Sequence, residues 1–221
     1  MFDIKGFFDN VHKDCLAATL RNLGFPPSMC KWTLSFLSDR KVQLSFNGSV
    51  TPEGDQPVGT PQGSPISPVL SALYTSPLLT QAREAPDTTL GMYVDNGVIF
   101  ARGPTWDAVN TLLWEEYRTC NLWLRQNNFL AEPAKTELLY FCTPGACLDP
   151  PLDRLFLPDS VTCRYYQVTP APTVCYLGFF LNQRLDWELH VTIMCNRAPA
   201  SLKALQVLGN THRGLSMVLR T

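Results

Sequence analysis

The sequence predicts an α+β fold in which an antiparallel sheet is backed by helices. Segments with helical spacing of apolar residues mix with short β-rich runs, without the regular alternation of βαβ units. Two of the β-rich runs contain hairpin signals, Asn47-Gly48 and Asp95-Asn96-Gly97. The chain has 221 residues, 45% hydrophobic and 17% charged, which is enough to bury a sizeable core.

The first half of the chain is predicted to hold three helices and one hairpin. Apolar residues recur at helical spacing in the first segment, and Gly24 is a typical stop after it. The alternating run Lys41–Phe46 leads into Asn47-Gly48, a strong two-residue turn signal. The predicted helices cover residues 11–23, 27–38 and 68–83, and a loop rich in Gly and Pro covers 54–67.

The second half is predicted to contain further strands and two helices. Residues 89–101 read as two short strands around Asp95-Asn96-Gly97, and a long helix follows at 105–127. The inward-facing candidates of this helix are Trp106, Val109, Leu113, Cys120 and Trp123. The remaining elements are a β-rich run at 136–142, a Pro-rich loop or insertion at 143–160, a strand pair at 161–167 and 173–181, and a last helix from Asp186 that Pro199 would kink.

Composition and charge limit the classes of protein to which the chain can belong. No apolar run reaches the ~18–20 residues of a membrane span, and the N-terminus has no signal-peptide layout, so an intracellular protein is expected, nuclear or cytoplasmic and not secreted. The eight cysteines lack zinc-knuckle spacing, which favours reduced, buried thiols over a metal site. The formal net charge is −1, without the basic excess of a free-standing nucleic-acid binder, although residues 191–221 hold four basic and no acidic residues.

Three segments carry residues that suggest chemistry. They are Asp3-Ile4-Lys5-Gly6-Phe7-Phe8-Asp9, then Gly59-Thr60-Pro61-Gln62-Gly63-Ser64-Pro65-Ile66-Ser67-Pro68, then Tyr93-Val94-Asp95-Asn96. Each has an ordinary interpretation when taken alone: a surface Asp, a turn-rich loop and a hairpin turn. However, one Asp on a strand and a second on a tight hairpin can hold two Mg²⁺ ions about 3.5–4 Å apart. A flat Gly-rich loop also lets the backbone approach a nucleotide closely.

The order of these segments resembles the palm motifs of reverse transcriptases. Those motifs run Asp-x-x-x-x-aromatic, then Pro-Gln-Gly, then Tyr-x-Asp-Asp. Two later segments agree: Ala134–Leu138 is similar to the stretch after the long palm helix, and Tyr176–Phe180 to the primer-grip hairpin. The resemblance covers about residues 1–210 and is closest to non-LTR, LINE-like retrotransposons, especially fungal ones.

The resemblance implies a role for each matching residue. Asp3 and Asp95 would bind two Mg²⁺ ions, and together with Asn96 and Lys135 they form the implied catalytic set. Lys135 matches a proton donor to the leaving pyrophosphate, with a solvated surface charge as the alternative. Phe8 matches the steric gate against a ribose 2′-hydroxyl, with a buried strand-to-helix Phe as the alternative. The other implied residues are Gln62 and Gly63 in the nucleotide pocket, Tyr93 beneath the primer end, and Tyr176, Leu177 and Gly178 in the primer grip.

The resemblance also implies an organisation and a set of partners. Residues 1–142 would form the palm core, 143–160 a Pro-rich loop or insertion, 161–185 a strand pair like the primer grip, and 186–221 the start of a helical thumb. The family's partners are an RNA template, a DNA primer and deoxynucleotides; neither a membrane nor a specific protein partner is indicated. The implied reaction is RNA-templated addition of deoxynucleotides to a primer 3′ end.

Two departures from the family pattern predict an impaired enzyme. Asn96 stands where the family has Asp, and an amide brings no negative charge to the metal site. The fingers that precede the first motif in the family are expected to be largely missing, which would make the chain a fragment. A non-catalytic nucleic-acid-binding remnant and an inert fossil are the alternatives to a partial polymerase domain.

Overall fold

A computed structural model describes residues 1–82, 86–141, 155–159, 161–162 and 164–209 of the chain. Within these residues, the helices are α1 (Lys13–Asn22), α2 (Pro27–Leu37), α3 (Ser67–Ala82), α4 (Trp106–Gln126) and α5 (Glu188–Gly209). The strands are β1 (Phe2–Lys5), β2 (Lys41–Val42), β3 (Ser45–Phe46), β4 (Ser49–Val50), β5 (Gly54–Asp55), β6 (Thr88–Tyr93), β7 (Asn96–Ala101), β8 (Leu130–Ala131), β9 (Leu155–Pro158), β10 (Tyr165–Val168), β11 (Thr173–Tyr176) and β12 (Phe179–Asn182).

The predicted α+β class with antiparallel strands is confirmed. The chain divides into two compact units, one formed by Met1–Glu137 with Pro151–Thr169 and the other by Leu138–Pro150 with Pro170–Thr221. The first unit contains a four-stranded antiparallel sheet in the order β6-β7-β1-β8. Helices α3 and α4 pack against this sheet. No helix in the described parts of the chain has the length and apolar content to cross a membrane.

The central strand β1 has one face that packs in the core and one face that is more exposed. Phe2 and Ile4 are almost fully buried, whereas the alternate residues Asp3 and Lys5 are half-buried and exposed. Successive side chains of a strand point to opposite faces, so the burial of two apolar residues places Asp3 on the other face. The core beside β1 continues through Phe7, which stacks on Phe129 with ring centroids 5.4 Å apart.

The second unit contains the hairpin β11–β12 and helix α5, which contact each other. Leu177 and Gly178 both have positive φ angles, 49° and 86°, and form the two-residue turn between the strands. His190 of α5 lies 5.3 Å from the ring of Phe179, and the guanidinium of Arg197 lies 5.1 Å from the ring of Phe180. The predicted last helix is present at α5, with Pro199 inside it.

Several element boundaries predicted from the sequence are wrong. The turn between β6 and β7 is Val94-Asp95, and Asn96 and Gly97 belong to β7. The buried ring of Phe2 explains this register, because it lies over Gly97, where a Cβ atom would be 2.2 Å from that ring. Residues 136–141 form no regular strand; Leu138 makes a single bridge to Pro170. Residue 142 lies outside the described residues.

The strand pairing after α4 also differs from the prediction. Residues 161–167 and 173–181 do not pair with each other: β10 pairs with β9, and β11 pairs with β12. Strand β9 lies in the segment predicted to be a Pro-rich loop, of which residues 143–154 and 160 lie outside the described residues. Asp159 explains the β9–β10 turn, since its carboxylate accepts the backbone N–H groups of Val161 and Thr162 at 2.7 and 3.4 Å.

The inward face of α4 was predicted correctly only at Cys120. The other four candidates are half-buried, and the buried residues of the helix are Glu116, Tyr117, Cys120, Asn121 and Leu124. The spacing of apolar residues could not select two of these positions, because Glu116 and Asn121 are polar. They are accommodated by hydrogen bonds: Asn121 Nδ2 donates to the Pro158 carbonyl at 2.9 Å, and Thr88 Oγ1 donates to Glu116 Oε2 at 3.4 Å.

We expect Glu116→Gln to stabilise the fold at neutral and alkaline pH. Burial raises the pKa of the Glu116 carboxyl, and its hydrogen bonds with Thr88 and Cys120 offset only part of that rise. Because its pKa is raised in the folded state, Glu116 stabilises the fold fully only below about pH 4.3, the pKa of a glutamate in the unfolded chain. This stabilisation is lost as pH rises through the pKa of the folded state. The gain in the free energy of unfolding should be about 1 kcal/mol at pH 8 and much smaller at pH 4.5. Thermal melts at both pH values, with the exposed neighbour Glu115→Gln as control, measure it; equal gains at the two pH values contradict it.

Candidate active site

Asp3 lies at the centre of the sheet of the first unit. Its Cα partner on β7 is Asn96, and on its other side the backbone N–H of Glu132 donates to the Asp3 carbonyl at 2.9 Å. The Asp3 side chain is only 17% exposed. Because directly opposite residues of an antiparallel pair project to the same face, Asp3 and Asn96 share the face that is turned away from Phe2 and Ile4.

Asp95 is fixed beside Asp3 by the turn between β6 and β7. Tyr93 and Asn96 are paired, which leaves Val94 and Asp95 as a two-residue turn. Val94 has a φ of 57°, a left-handed conformation that is strained for a β-branched residue. The backbone N–H of Ile4 donates to the Asp95 carbonyl at 2.8 Å and ties the turn to β1.

Asn96 holds the neighbouring carboxylate through its amide. Its Nδ2 donates to Asp95 Oδ1 at 2.9 Å, and both residues are half-buried. The amide therefore orients Asp95 and occupies one of its oxygens without adding negative charge. An aspartate at the same position could not donate this hydrogen bond unless it were protonated.

Lys135 reaches the same carboxylate that the sequence assigns to metal binding. Its Nζ lies 3.1 Å from Asp3 Oδ1, with the lysine side chain 63% exposed. Lys135 ends the short 3₁₀ turn Pro133–Lys135, which follows β8 and Glu132. An ion pair with one exposed member contributes little to stability, so its significance is its place beside Asp3.

An open cleft of about 240 Å³ gathers most of these side chains. Its lining residues are Asp3, Ile4, Lys5, Gly6, Phe7, Phe8, Asp9, Gln62, Asp95, Glu132 and Lys135. Phe8 is half-buried, and the buried aromatic residue of this segment is its neighbour Phe7. Gln62 Nε2 donates to Asp9 Oδ1 at 3.2 Å and thereby connects the loop to the first motif. Of the sequence-predicted residues, the cleft therefore brings together five: Asp3, Phe8, Gln62, Asp95 and Lys135.

The loop that carries Gln62 is held against the segment after β1. The N–H of Gly59 donates to the Val11 carbonyl at 2.8 Å, and the N–H of Thr60 donates to the Phe8 carbonyl at 2.7 Å. Gly59 has a φ of 88°, and a Cβ there would lie 3.0 Å from backbone atoms of Phe8 and Asp9. Glycine is thus required for the close approach of the two segments.

The remaining predicted residues lie outside the cleft lining. Gly63 belongs to the same loop as Gln62, Asn96 lies on β7 next to Asp95, and Tyr93 precedes the turn with 60% of its surface exposed. Tyr176, Leu177 and Gly178 form the end of the β11–β12 hairpin in the second unit. Their role as a primer grip stays a prediction.

Three charged lining residues were not assigned a role from the sequence: Lys5, Asp9 and Glu132. Lys5 and Asp9 lie inside the first motif, so their closeness to Asp3 in the sequence could have identified them. Glu132 stands just before the Ala134–Leu138 segment, but only the pairing of β8 with β1 brings it beside Asp3. The Lys5 Nζ lies 3.9 Å from Glu132 Oε2, so these two charges partly compensate each other.

The charge and the donor atoms of the cleft suit a hard cation. The lining holds four carboxylates (Asp3, Asp9, Asp95 and Glu132) and two ammonium groups (Lys5 and Lys135), a formal charge of −2. No group of three or more His, Cys, Asp or Glu side chains in the described part of the chain is arranged to hold a metal by itself. Mg²⁺ at phosphate-transfer sites usually takes one or two protein carboxylates together with phosphate oxygens, and Asp3 and Asp95 fit that requirement.

Comparison with known proteins finds similarity over most of the chain. Residues 1–181 match the family model described as reverse transcriptase (RNA-dependent DNA polymerase). The chain is also similar to an RNA-directed DNA polymerase from mobile element jockey of Drosophila melanogaster, with 24% identity over 195 residues. This alignment covers 86% of the present chain and 20% of the relative, so the chain spans about a fifth of the length of the relative that it matches.

Proposed function

This chain belongs to the reverse transcriptase (RNA-dependent DNA polymerase) family, and on that premise we propose that its cleft is a nucleotidyl-transfer site weakened by Asn96. The observation that carries the proposal is the placement of Asp3 and Asp95 on neighbouring strand and turn at one cleft, tied by the hydrogen bond from Ile4 to Asp95. The similarity to the jockey polymerase supports an origin in a non-LTR retroelement. The narrower assignment to fungal elements stays a prediction.

Asp3 and Asp95 would hold the metal of the proposed site. When bound, Mg²⁺ activates the primer 3′-hydroxyl and neutralises the triphosphate. The chain's own contribution is to aim the two carboxylates at one cleft: β1 holds Asp3 between β7 and β8, and the amide of Asn96 holds Asp95. Asn96 leaves the cleft with one anion fewer than the family motif, which weakens its hold on a divalent cation.

The other lining residues suit an incoming nucleotide. In the proposed reaction, the primer 3′-hydroxyl gives its proton to solvent water and its oxygen forms a bond to the α-phosphorus of a deoxynucleotide. The bond from that phosphorus to pyrophosphate breaks, and Lys135 donates a proton to this leaving group. Phe8 lines the same cleft as Asp3, and an aromatic ring there can exclude a 2′-hydroxyl. Gln62, whose amide donates to Asp9, lines the same cleft. Template RNA, primer DNA and deoxynucleotides are the partners that we propose.

A non-catalytic nucleic-acid-binding remnant is the second candidate. The hydrogen bond between Asn96 and Asp95 favours it, because the change that removes a carboxylate leaves the turn intact. This candidate would be supported over the first if the chain binds a primer–template duplex with an affinity that falls steeply with salt. The affinity should then be the same with and without metal, and the same in Asp3→Asn.

We expect the chain to bind Mn²⁺, a spectroscopic substitute for Mg²⁺, at a single weak site. Neutralising one of its two carboxylates should remove a charge from the coordination sphere, so Asp3→Asn and Asp95→Asn should each weaken binding by about tenfold or more. Electron paramagnetic resonance titration of free Mn²⁺ measures this. Asp87→Asn is the control, since Asp87 is an exposed residue that pairs with Arg102 at 3.4 Å.

Primer extension gives the second readout of the proposal. With oligo-dT on poly-rA and Mg²⁺, extension by the 221-residue chain should not exceed that of Asp3→Asn, because Asn96 removes one of the few anions of the site. Mn²⁺ affinity that is the same in Asp3→Asn, Asp95→Asn and the unaltered chain contradicts the metal assignment. Robust extension by the unaltered chain contradicts the proposal that Asn96 weakens the nucleotidyl-transfer site.

A further inference from the structure

Three hydroxyl groups of the first unit form a continuous chain of hydrogen bonds that ends at the backbone of the cleft residue Glu132. The hydroxyl of Tyr166 lies 2.8 Å from that of Tyr117 and 3.0 Å from Thr136 Oγ1. Thr136 Oγ1 in turn lies 3.2 Å from the Glu132 carbonyl. The chain therefore joins α4, β10 and the turn after β8.

The proton count fixes the direction of this chain. A carbonyl can only accept, so Thr136 must donate to Glu132. Each hydroxyl has a single proton, so Thr136 accepts from Tyr166, and Tyr166 accepts from Tyr117. All three bonds then point toward the Glu132 carbonyl, and aligned bonds of this kind polarise and strengthen one another. Burial raises the pKa of the Tyr117 phenol and of the Tyr166 phenol, which keeps both protonated.

The carbonyl at the end of the chain also closes the turn that carries Lys135. The N–H of Lys135 donates to the Glu132 carbonyl at 3.1 Å, and the N–H of Thr136 donates to the Pro133 carbonyl at 3.1 Å. The same Glu132 donates its own N–H to the Asp3 carbonyl at 2.9 Å. The short turn is thus held from one side by the sheet and from the other by the hydroxyl chain.

We propose that Tyr166 and Thr136 are positioning residues of the nucleotidyl-transfer site, acting through the Glu132–Thr136 turn to hold the ammonium of Lys135 at Asp3. This inference rests on the proposed function, because the place of Lys135 matters only if the cleft transfers nucleotides. The Lys135 side chain is 63% exposed and linear, with little packing of its own to hold it. Its direction is therefore set by the backbone from which it projects, and the hydroxyl chain fixes that backbone.

Packing alone is the competing explanation for Tyr166. Its ring lies edge-to-face against Tyr117, with centroids 6.4 Å apart. Tyr166→Phe keeps this ring contact and removes only the hydroxyl, so it separates the two explanations. Tyr165→Phe is the matched control, because Tyr165 is the adjacent residue of β10 and is 64% exposed. At the other end of the chain, Thr136→Val removes the hydroxyl and Thr136→Ser keeps it.

The test measures how readily the amine of Lys135 is acylated by an N-hydroxysuccinimide ester, with peptide mass spectrometry as the readout. A lysine held at a carboxylate reacts slowly, and Asp3→Asn sets the rate of the released amine. We expect Tyr166→Phe and Thr136→Val to speed Lys135 labelling about two- to fivefold, the range that matches loss of an exposed ion pair. Tyr165→Phe and Thr136→Ser should leave it unchanged.

Lys13 serves as an internal reference, because it bonds Ser38 at 3.3 Å in another part of the first unit. Faster labelling confined to Lys135 supports the positioning role. Equal labelling of Lys135 in Tyr166→Phe and the unaltered chain overturns it, and so does a parallel rise at Lys13, which reports general loosening. Mn²⁺ titration of the same samples tests the proposed function separately: unaltered chain that binds no Mn²⁺ overturns the assignment to a transfer site whatever the labelling shows.

Discussion

Asn96→Asp is expected to raise the affinity of the cleft for Mg²⁺ by about tenfold or more, the effect of one added charge near a divalent cation. Without metal, the same substitution should lower the free energy of unfolding by about 1 kcal/mol. The cause is the loss of the 2.9 Å hydrogen bond from Asn96 to Asp95 and its replacement by two adjacent carboxylates that repel. Addition of Mg²⁺ should therefore raise the melting temperature of the variant more than that of the unaltered chain.

Asn47→Asp is the control for this substitution. Asn47 is also followed by Gly, but it lies in the exposed turn between β3 and β4 and is not among the residues that line the cleft. Calorimetric titration with Mg²⁺ and thermal melts with and without the metal measure both effects. A Mg²⁺ affinity that does not change in Asn96→Asp argues against position 96 as part of the metal site. Recovery of primer extension in this variant would locate the whole defect at Asn96, because positioning of the triphosphate would then already be intact.

Gly59→Ala is expected to lower the free energy of unfolding by about 3 kcal/mol and to disorganise the nucleotide side of the cleft. An alanine there must adopt a φ of 88°, and its Cβ would lie 3.0 Å from the Asp9 Cα, the Asp9 carbonyl and the Phe8 carbonyl. These are backbone atoms, which cannot move without displacing β1 or the Gln62 loop. A fall of roughly 6–12 °C in melting temperature follows for a chain of this size.

Gly63→Ala separates the two causes of that loss. Gly63 has nearly the same φ, 86°, but an added Cβ would meet nothing within 4 Å. Its substitution should therefore cost about 1 kcal/mol, the strain of the left-handed conformation alone. Chemical denaturation of both variants gives the difference. If the two variants lose equal stability, the close approach of Gly59 to Phe8 and Asp9 is not what holds the loop.

The sequence was sufficient for most helices and for the core of the site, and the reasons are local. The helix at α1 follows from apolar spacing and the stop at Gly24, and the β3–β4 turn follows from Asn47-Gly48, whose φ angles are 48° and 77°. Five of the predicted site residues line the cleft, and the order of the three motifs was sufficient to identify them. Their roles in metal and nucleotide binding stay predictions.

The features that could not be predicted depend on contacts between distant segments. Glu132 joins the cleft only because β8 pairs with β1, a register that no local pattern encodes. The turn at Val94-Asp95 places a β-branched residue at positive φ, against the intrinsic preference that favoured Asn96-Gly97. Tyr166 looked like an ordinary strand residue, and its hydroxyl has a role only in company with Tyr117 and Thr136.

Buried and more exposed side chains alternate along β1, and this alternation determines which mutations the fold can tolerate in the gene that encodes it. Substitutions on the cleft face, such as an amide for a carboxylate at position 96, leave the core side of the sheet untouched. An insertion of a single residue between Phe2 and Asp3 would instead move the following residues of β1 to the opposite face, exposing Ile4 and driving Asp3 into the apolar interior. Chemistry can therefore decay by base changes while the architecture persists, whereas an in-frame gain of one codon between Phe2 and Asp3 would remove both together.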